Sequence, residues 1–142
     1  MATLYVTSTE TFAGKSALCI GLGTQLIADG FRFAYMKPVS HALALVDGQL
    51  VDEDVRFIQN TFQLPQPMNV LNPIAVTRQM EESVLCGEPP ADLLGRLREA
   101  YAQAAAGQDV VLLEAGVNLR EGFLIGLPAT RLVTELNACL LY

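Results

Sequence analysis

The chain has 142 residues, about the length of one globular domain, and hydrophobic residues make up 51% of it whereas charged residues make up 17%. Its net charge of -6, with no cluster of Lys and Arg, argues against a nucleic-acid-binding surface. No apolar run approaches the ~20 residues of a membrane span, and the N-terminus lacks the pattern of a secretory signal. We therefore expect a cytoplasmic protein with neither a nucleic-acid nor a membrane partner.

The first 28 residues indicate a strand, a loop and a helix. β-Favouring residues at 4–7 lead into small and hydroxyl residues, and Gly14-Lys15-Ser16 precedes a helical pattern over 17–28. Free backbone N–H groups at the start of a helix bind anions. Lys15 would reach the terminal phosphates of a nucleotide, and the Ser16 hydroxyl would ligate Mg²⁺. These residues predict a phosphate-binding loop.

The spacing of this loop departs from the standard G-x-x-x-x-G-K-[ST] motif, because Thr9 stands where that motif has its first glycine. An alternative therefore stays open. The segment would then be an ordinary helix start, at which Ser16 caps the helix and Lys15 extends into water.

Two further strands are predicted to deliver charged residues to their carboxyl ends, where open α/β sheets bind ligands. The pattern at 31–36 predicts a strand followed by Lys37, and the apolar run at 109–114 predicts a buried strand that ends in Glu114. Lys37 is either an anion contact or a solvated residue. Glu114 is either a Mg²⁺ ligand or a strand-end acid in water.

The segment between these two strands contains three acids and the single histidine. Residues 39–50 are predicted to form a loop, and His41, with no second histidine or cysteine nearby, is poor evidence for a metal site. The acids at 52–54 precede an amphipathic pattern, so they are explained by capping and by the dipole of a helix that starts there. Asp54 is equally suited to bind Mg²⁺.

The rest of the pattern alternates helices with strands. It predicts a connector at 64–73, helices over 76–86, 91–106 and 128–136, a loop at 117–126 and a buried strand at 138–142. Cys19, Cys86 and Cys139 lie among apolar neighbours, and we expect them to be small buried residues. The alternation predicts an α/β fold with a doubly wound parallel sheet.

Four segments resemble the P-loop NTPase domain of dethiobiotin synthetase, in that family's order and spacing. They are Thr7-Ser-Thr-Glu-Thr-Phe-Ala-Gly-Lys-Ser16, Phe33-Ala-Tyr-Met-Lys-Pro-Val39, Asp54, and Leu112-Leu-Glu-Ala-Gly116. The chain is therefore identified as similar to a dethiobiotin synthetase-like P-loop domain of the AAA_26 type over residues 1–142. The nearest branch resembles the N-terminal domain of phosphotransacetylase-family proteins, and cobyrinic acid a,c-diamide synthase is a related branch.

The resemblance implies a site for ATP and Mg²⁺. By this resemblance Lys15 and Lys37 would be the catalytic residues, and Ser16, Asp54 and Glu114 would hold the metal. The nucleotide-binding residues would be Thr9, Glu10, Thr11, Phe12, Ala13, Gly14, Lys15, Ser16 and Ala17. Lys37 would position a small carboxylate or carbamate substrate for attack on the γ phosphate. The related synthetases also imply a homodimer.

The sequence departs from the family pattern in three ways. Ser8 replaces the first glycine of the family's loop, which removes backbone freedom at positive φ. Ala115 and Val117 flank Gly116 where the family has more glycine. The family also continues for several strands beyond this length, so the resemblance predicts the N-terminal two thirds of a domain, either a fragment or a protomer completed by another chain.

Two functions remain open, and a third reading is an α/β fragment with no active site. The first is a nucleotide-binding module, regulatory or structural, which the altered glycines favour. The second is an ATP-dependent ligase of the dethiobiotin or diamide synthase type, which the joint presence of Lys15, Lys37, Asp54 and Glu114 favours.

Overall fold

The computed structural model describes residues 1–46, 48–88 and 92–142. The strands are β1 (Ala2–Val6), β2 (Phe33–Met36), β3 (Val39–Ser40), β4 (Leu43–Val46), β5 (Gln49–Asp52), β6 (Ile74–Ala75), β7 (Val110–Glu114) and β8 (Cys139–Leu141). The helices are α1 (Lys15–Ala28), α2 (Glu53–Phe62), α3 (Met68–Leu71), α4 (Arg78–Leu85), α5 (Leu93–Ala105) and α6 (Ala129–Glu135).

Four parallel strands form the central sheet in the order β2-β7-β1-β8. In the middle of the sheet, Leu112 of β7 pairs with Leu4 of β1 on one side and with Tyr35 of β2 on the other. At the far side of β1, Leu4 pairs with Cys139 of β8. The predicted α/β fold with a mostly parallel sheet is confirmed.

The two faces of the sheet bury different side chains, as the two-residue period of a strand requires. On one face, Tyr5, Met36 and Leu113 belong to a core that includes residues of α5 and α6. On the other face, Val6 and Tyr35 belong to a core that includes residues of α1 and α2. Helices therefore cover both faces, which makes the sheet doubly wound.

Residues 39–50, predicted as a loop, contain three short strands, so that prediction is wrong. β3 pairs in parallel with β6, and β4 pairs with β5 as an antiparallel hairpin that turns at Gly48, where φ is +79°. Two to four residues carry too little periodicity to indicate a strand, and β3 is stabilised by a partner more than thirty residues away in the chain. Asp47 lies outside the described residues.

Several predicted boundaries shift because a side chain caps a helix. Thr77 accepts a hydrogen bond from Met80 N, so α4 begins two residues later than predicted. Asp92 accepts from Gly95 N, so α5 begins at Leu93. The predicted start of this helix at 91 and the prolines before it lie outside the described residues. The connector at 64–73 contains the one-turn helix α3.

Strand β8 lies at the edge of the sheet, and its three residues are exposed. The prediction of a buried strand at 138–142 is therefore wrong, because β8 pairs with β1 on one side only.

The three cysteines differ in their burial. Cys19 is buried as predicted, whereas Cys86 and Cys139 are exposed. Among the described residues, no helix is long and apolar enough to cross a membrane.

Replacing the buried Leu97 by Ala should destabilise the fold. Leu97 is fully buried in the core beneath α5, so its truncation leaves a cavity, and we expect the free energy of unfolding to fall by about 2–5 kcal/mol. Urea denaturation measures this change. Leu85→Ala is the matched control, because Leu85 is 71% exposed and its loss should cost less than about 0.5 kcal/mol. Equal losses in both variants would contradict the assigned core.

Candidate functional site

The carboxyl ends of β1, β2 and β7 meet at one edge of the central sheet. A cavity of about 370 Å³ opens there. Six of the nine predicted nucleotide-binding residues line it, namely Thr11, Phe12, Ala13, Gly14, Lys15 and Ser16. Thr9, Glu10 and Ala17 are exposed and are not among the residues that line this cavity.

Lys15 is held inside the site. It is only 9% exposed, and its Nζ donates to Ser8 Oγ at 3.0 Å and to the carbonyl oxygen of Val117 at 3.3 Å. The Ser8 hydroxyl in turn donates to the carbonyl oxygen of Glu10 at 2.6 Å. The alternative in which Lys15 extends into water is wrong. In the sequence, Ser8 is notable only because it replaces a glycine of the family's loop. In the structure its side chain contacts Lys15.

In the loop before α1, two residues have a left-handed backbone conformation: Phe12 (φ +56°) and Gly14 (φ +84°). Ser8 does not adopt a positive φ, so the expected conflict at this position does not arise. Gly14 is the N-cap residue of α1, and no side chain caps the helix. The first-turn N–H groups are therefore available to an anion. Ser16 does not cap the helix, contrary to the alternative reading of the sequence.

Glu114 is a buried carboxylate with two hydroxyl donors. It is 1% exposed, its Oε1 accepts from Ser16 Oγ at 2.7 Å, and its Oε2 accepts from Tyr35 OH at 2.7 Å. Burial raises the pKa of Glu114, and the Ser16 hydrogen bond opposes that rise. The strand-end acid is therefore not in water. Tyr35, which the sequence pattern indicates only as part of a strand, belongs to the site.

Lys37 forms a buried ion-pair network. Its Nζ lies 2.8 Å from Asp52 Oδ2 and 3.3 Å from Asp54 Oδ2, and the residue is 3% exposed. Asp52 also accepts from Ser40 Oγ and caps α2 by accepting from the backbone N–H groups of Asp54 and Val55. Burial lowers the pKa of Lys37, but the Asp52 hydrogen bond and nearby carboxylates outweigh it, so the pKa is raised. The reading of Lys37 as solvated is wrong.

His41 contacts two carboxylates, one on α4 and one in the loop that follows β7. Glu121 Oε1 accepts from His41 N at 3.1 Å and lies 2.8 Å from Nδ1. Glu81 Oε1 of α4 lies 3.5 Å from Nε2. The hydrogen bond to the Glu121 carboxylate raises the pKa of His41, and burial partly opposes that rise. No local pattern pairs residues eighty positions apart, so this contact could not be predicted from the sequence.

The Glu121 carboxylate packs directly against Gly116. A Cβ added at Gly116 would overlap Glu121 Oε2, so the glutamate side chain would have to move to accommodate it. Both residues line the cavity. The reduced glycine pattern of this loop therefore retains the glycine against which Glu121 packs.

The predicted metal ligands are chemically suited to Mg²⁺. Ser16 contacts Glu114, and Asp54 lines the same cavity as Ser16, so one hydroxyl and two carboxylates are available as oxygen ligands. Mg²⁺ commonly takes one or two carboxylates and completes its shell with water and phosphate. Within residues 1–46, 48–88 and 92–142 there is no cluster of three or more His, Cys, Asp or Glu side chains arranged to hold a metal.

The family of this chain is shown by comparison with known protein families. The profile of the AAA_26 family, described as an AAA domain, matches residues 2–141. The chain belongs to the AAA_26 family.

Relatives of this AAA_26 domain carry the name ATP-dependent dethiobiotin synthetase BioD. The protein from Caldicellulosiruptor saccharolyticus is 21% identical over 115 residues, covering 80% of this chain and 47% of the relative. That from Aeromonas hydrophila is 30% identical over 112 residues, covering 78% of this chain and 50% of the relative. The chain thus spans about half the length of these relatives. The predicted similarity to dethiobiotin synthetase is confirmed at family level, whereas the phosphotransacetylase and cobyrinic acid branches stay predictions.

His41 of this AAA_26 domain should titrate above its ordinary pKa of 6.5. The raised pKa means that the contact stabilises the fold fully below the unfolded pKa and loses this effect as the pH rises through the folded pKa. NMR titration of the ring protons measures the value directly. In Glu121→Gln the pKa should fall toward 6.5, and in Glu81→Gln it should fall less, because Glu81 is farther away. An unchanged pKa in Glu121→Gln would contradict the contact.

Proposed function

We propose that this chain is a nucleotide-binding module that takes ATP with Mg²⁺ and serves a regulatory or structural role in a longer protein. The observation that carries the proposal is the buried Lys15 beside the uncapped start of α1, at the edge of the sheet to which β7 delivers Glu114. A helix start with free N–H groups and an adjacent lysine favours bound phosphate. The family membership and the relatives named ATP-dependent support nucleotide binding, which both candidate functions share.

Each site residue has a role in this proposal. Lys15 and the loop amides would bind the β and γ phosphates, and Ser16, Asp54 and Glu114 would hold Mg²⁺ directly or through water. The metal would neutralise phosphate charge. When a phosphate enters, Lys15 would exchange its contacts with Ser8 and Val117 for the anion. These existing contacts fix the lysine side chain in the site before ligand arrives, which lowers the entropy cost of binding.

Calorimetric titration of ATP with Mg²⁺ tests the phosphate site. We expect Lys15→Ala to weaken binding by roughly tenfold or more, because it removes a charged donor to phosphate. Arg56→Ala is the matched control, since it removes the same charge from an exposed position on α2 and should bind like the parent. A parent that binds no nucleotide, or a Lys15→Ala variant that binds equally well, would contradict the proposal.

The second candidate function is an ATP-dependent ligase. The observation that favours it is that Lys37 lines the same cavity as the phosphate loop and Asp54. Lys37 would position a small carboxylate or carbamate, the γ phosphate would pass to its oxygen, and an amine would close the mixed anhydride with release of phosphate. Against this role, Lys37 already pairs with both Asp52 and Asp54 and must change partners to bind an anion.

Turnover separates the two functions. A diamine in bicarbonate forms carbamates, so 1,3-diaminopropane with bicarbonate, Mg²⁺ and ATP is a suitable first probe. For a module we expect no ADP above the protein-free blank. ADP release that requires the diamine and disappears in Lys37→Ala would contradict the module and establish the ligase. Calorimetry on Lys37→Ala must show that ATP still binds, so that a loss of turnover reflects the substrate side.

The finer assignments belong to the same proposal. We place the module in the phosphotransacetylase-type branch because the sequence from Glu114 to Gly122 is similar to that branch's Glu-x-Gly-x-Asn-Leu-x-Glu-Gly motif. If the ligase alternative is correct, we propose an activity of the dethiobiotin synthetase or cobyrinic acid a,c-diamide synthase type. We propose a homodimer from the resemblance alone, and a cytoplasmic location stays the expectation made from the sequence. The activity of the full-length relatives is proposed here only as the alternative.

A further inference from the structure

Asp52 is a buried carboxylate at the junction of β5 and α2, and both of its oxygens have partners. The residue is 1% exposed. Its Oδ1 accepts from the backbone N–H groups of Asp54 at 3.0 Å and Val55 at 3.2 Å, which caps α2. Its Oδ2 lies 2.8 Å from Lys37 Nζ and accepts from Ser40 Oγ. One side chain therefore joins the residue after β2, the strand β3 and the start of α2.

The two carboxylates that contact Lys37 differ in burial. The contact of Lys37 Nζ with Asp52 is 2.8 Å long, and the Asp52 side chain is 1% exposed. The contact with Asp54 is 3.3 Å long, and the Asp54 side chain is 56% exposed. Water screens an exposed ion pair far more than a buried one, so the contact with Asp52 is the stronger of the two. Asp52 is therefore the main counter-ion of Lys37.

The strength of this pair matters for Asp54, which lines the cavity and offers a carboxylate suited to Mg²⁺. An ammonium group and a metal ion compete for the same carboxylate oxygens, and two cations close together repel each other. A lysine that relied on Asp54 alone would therefore oppose metal binding there. Because Asp52 compensates the charge of Lys37, the Asp54 carboxylate can leave the lysine at little cost.

We propose that Asp52 is a positioning residue for the metal end of the site, which holds the Lys37 ammonium group and thereby leaves the Asp54 carboxylate available to Mg²⁺. The cap fixes Asp54 in the first turn of α2, and the ion pair keeps Lys37 from neutralising it. This inference rests on the proposed function, because it concerns the metal that accompanies the nucleotide. It gives Asp52 a role beyond helix capping and without contact to the metal.

Calorimetric titration of ADP in excess Mg²⁺ and again in EDTA tests this inference, and the ratio of the two affinities is the metal-dependent gain. Asp52→Asn keeps a good capping side chain and removes the charge. Among the described residues, Asp54 is then the remaining acid that Lys37 contacts, so we expect the gain to fall about tenfold. The affinity in EDTA should change far less, because the contacts of Lys15 are not altered.

Removing the charge of the lysine as well should restore the gain. In the double variant Asp52→Asn, Lys37→Met neither charge remains, so Asp54 is again available and the gain should lie within about twofold of the parent value. A role limited to capping α2 predicts no such rescue. Asp92→Asn is the matched control, because Asp92 caps α5 and is not among the residues that line the cavity. It should leave the gain unchanged.

Amide NMR spectra establish which variants are folded. If Asp52→Asn does not fold, because the charge of Lys37 is left buried and alone, the double variant decides the question. The inference is overturned by a gain that survives in Asp52→Asn or falls equally in Asp92→Asn, and by a double variant that lacks the gain or does not fold.

The same titrations separate this failure from that of the proposed function. A parent that binds ADP with a gain independent of Asp52, or equally well in Mg²⁺ and in EDTA, defeats the inference and leaves nucleotide binding in place. A parent that binds no ADP even in Mg²⁺ defeats the proposed function, and the inference with it.

Discussion

In the central sheet, β7 pairs in parallel with β1 on one side and with β2 on the other, and the site depends on this arrangement. Parallel strands end at the same edge, so the loop after β1, Lys37 after β2 and Glu114 at the end of β7 are brought together. The strands are buried on both faces, which fixes their register and hence the height at which each side chain emerges. Ser16 of α1 then closes the group by donating to Glu114.

Each charged group buried at this edge has a partner. Glu114 accepts from two hydroxyl groups, and Lys37 pairs with Asp52. Breaking such a pair is strongly unfavourable, by about 3–5 kcal/mol, because one charge is left buried and alone. The network therefore stabilises the site in a single arrangement. It also sets a condition on any ligand, which must supply contacts that replace the ones it displaces.

The site has two parts with different chemistry. The part beside α1 offers a lysine and free helix N–H groups, which suits phosphate. The part that contains Glu121 offers a carboxylate as an acceptor. His41 contacts this carboxylate, and Gly116 leaves room for it because it has no side chain. The loop after β7 touches both parts, because Val117 accepts from Lys15 and Glu121 accepts from His41.

The sequence by itself determined the α/β alternation of the main elements, the apolar β7, and the position of Lys15 at a helix start and of Lys37 and Glu114 at strand ends. These follow from local periodicity and short motifs, which depend on neighbours in the chain. Only the tertiary structure decided the hairpin at 43–52, the burial of Lys37 against Asp52, the Tyr35 contact with Glu114 and the joining of His41 to Glu121. The strands of the hairpin are too short to show a periodicity in the sequence. The other contacts join residues that lie far apart in the chain and meet only in the folded protein, so no local pattern encodes them.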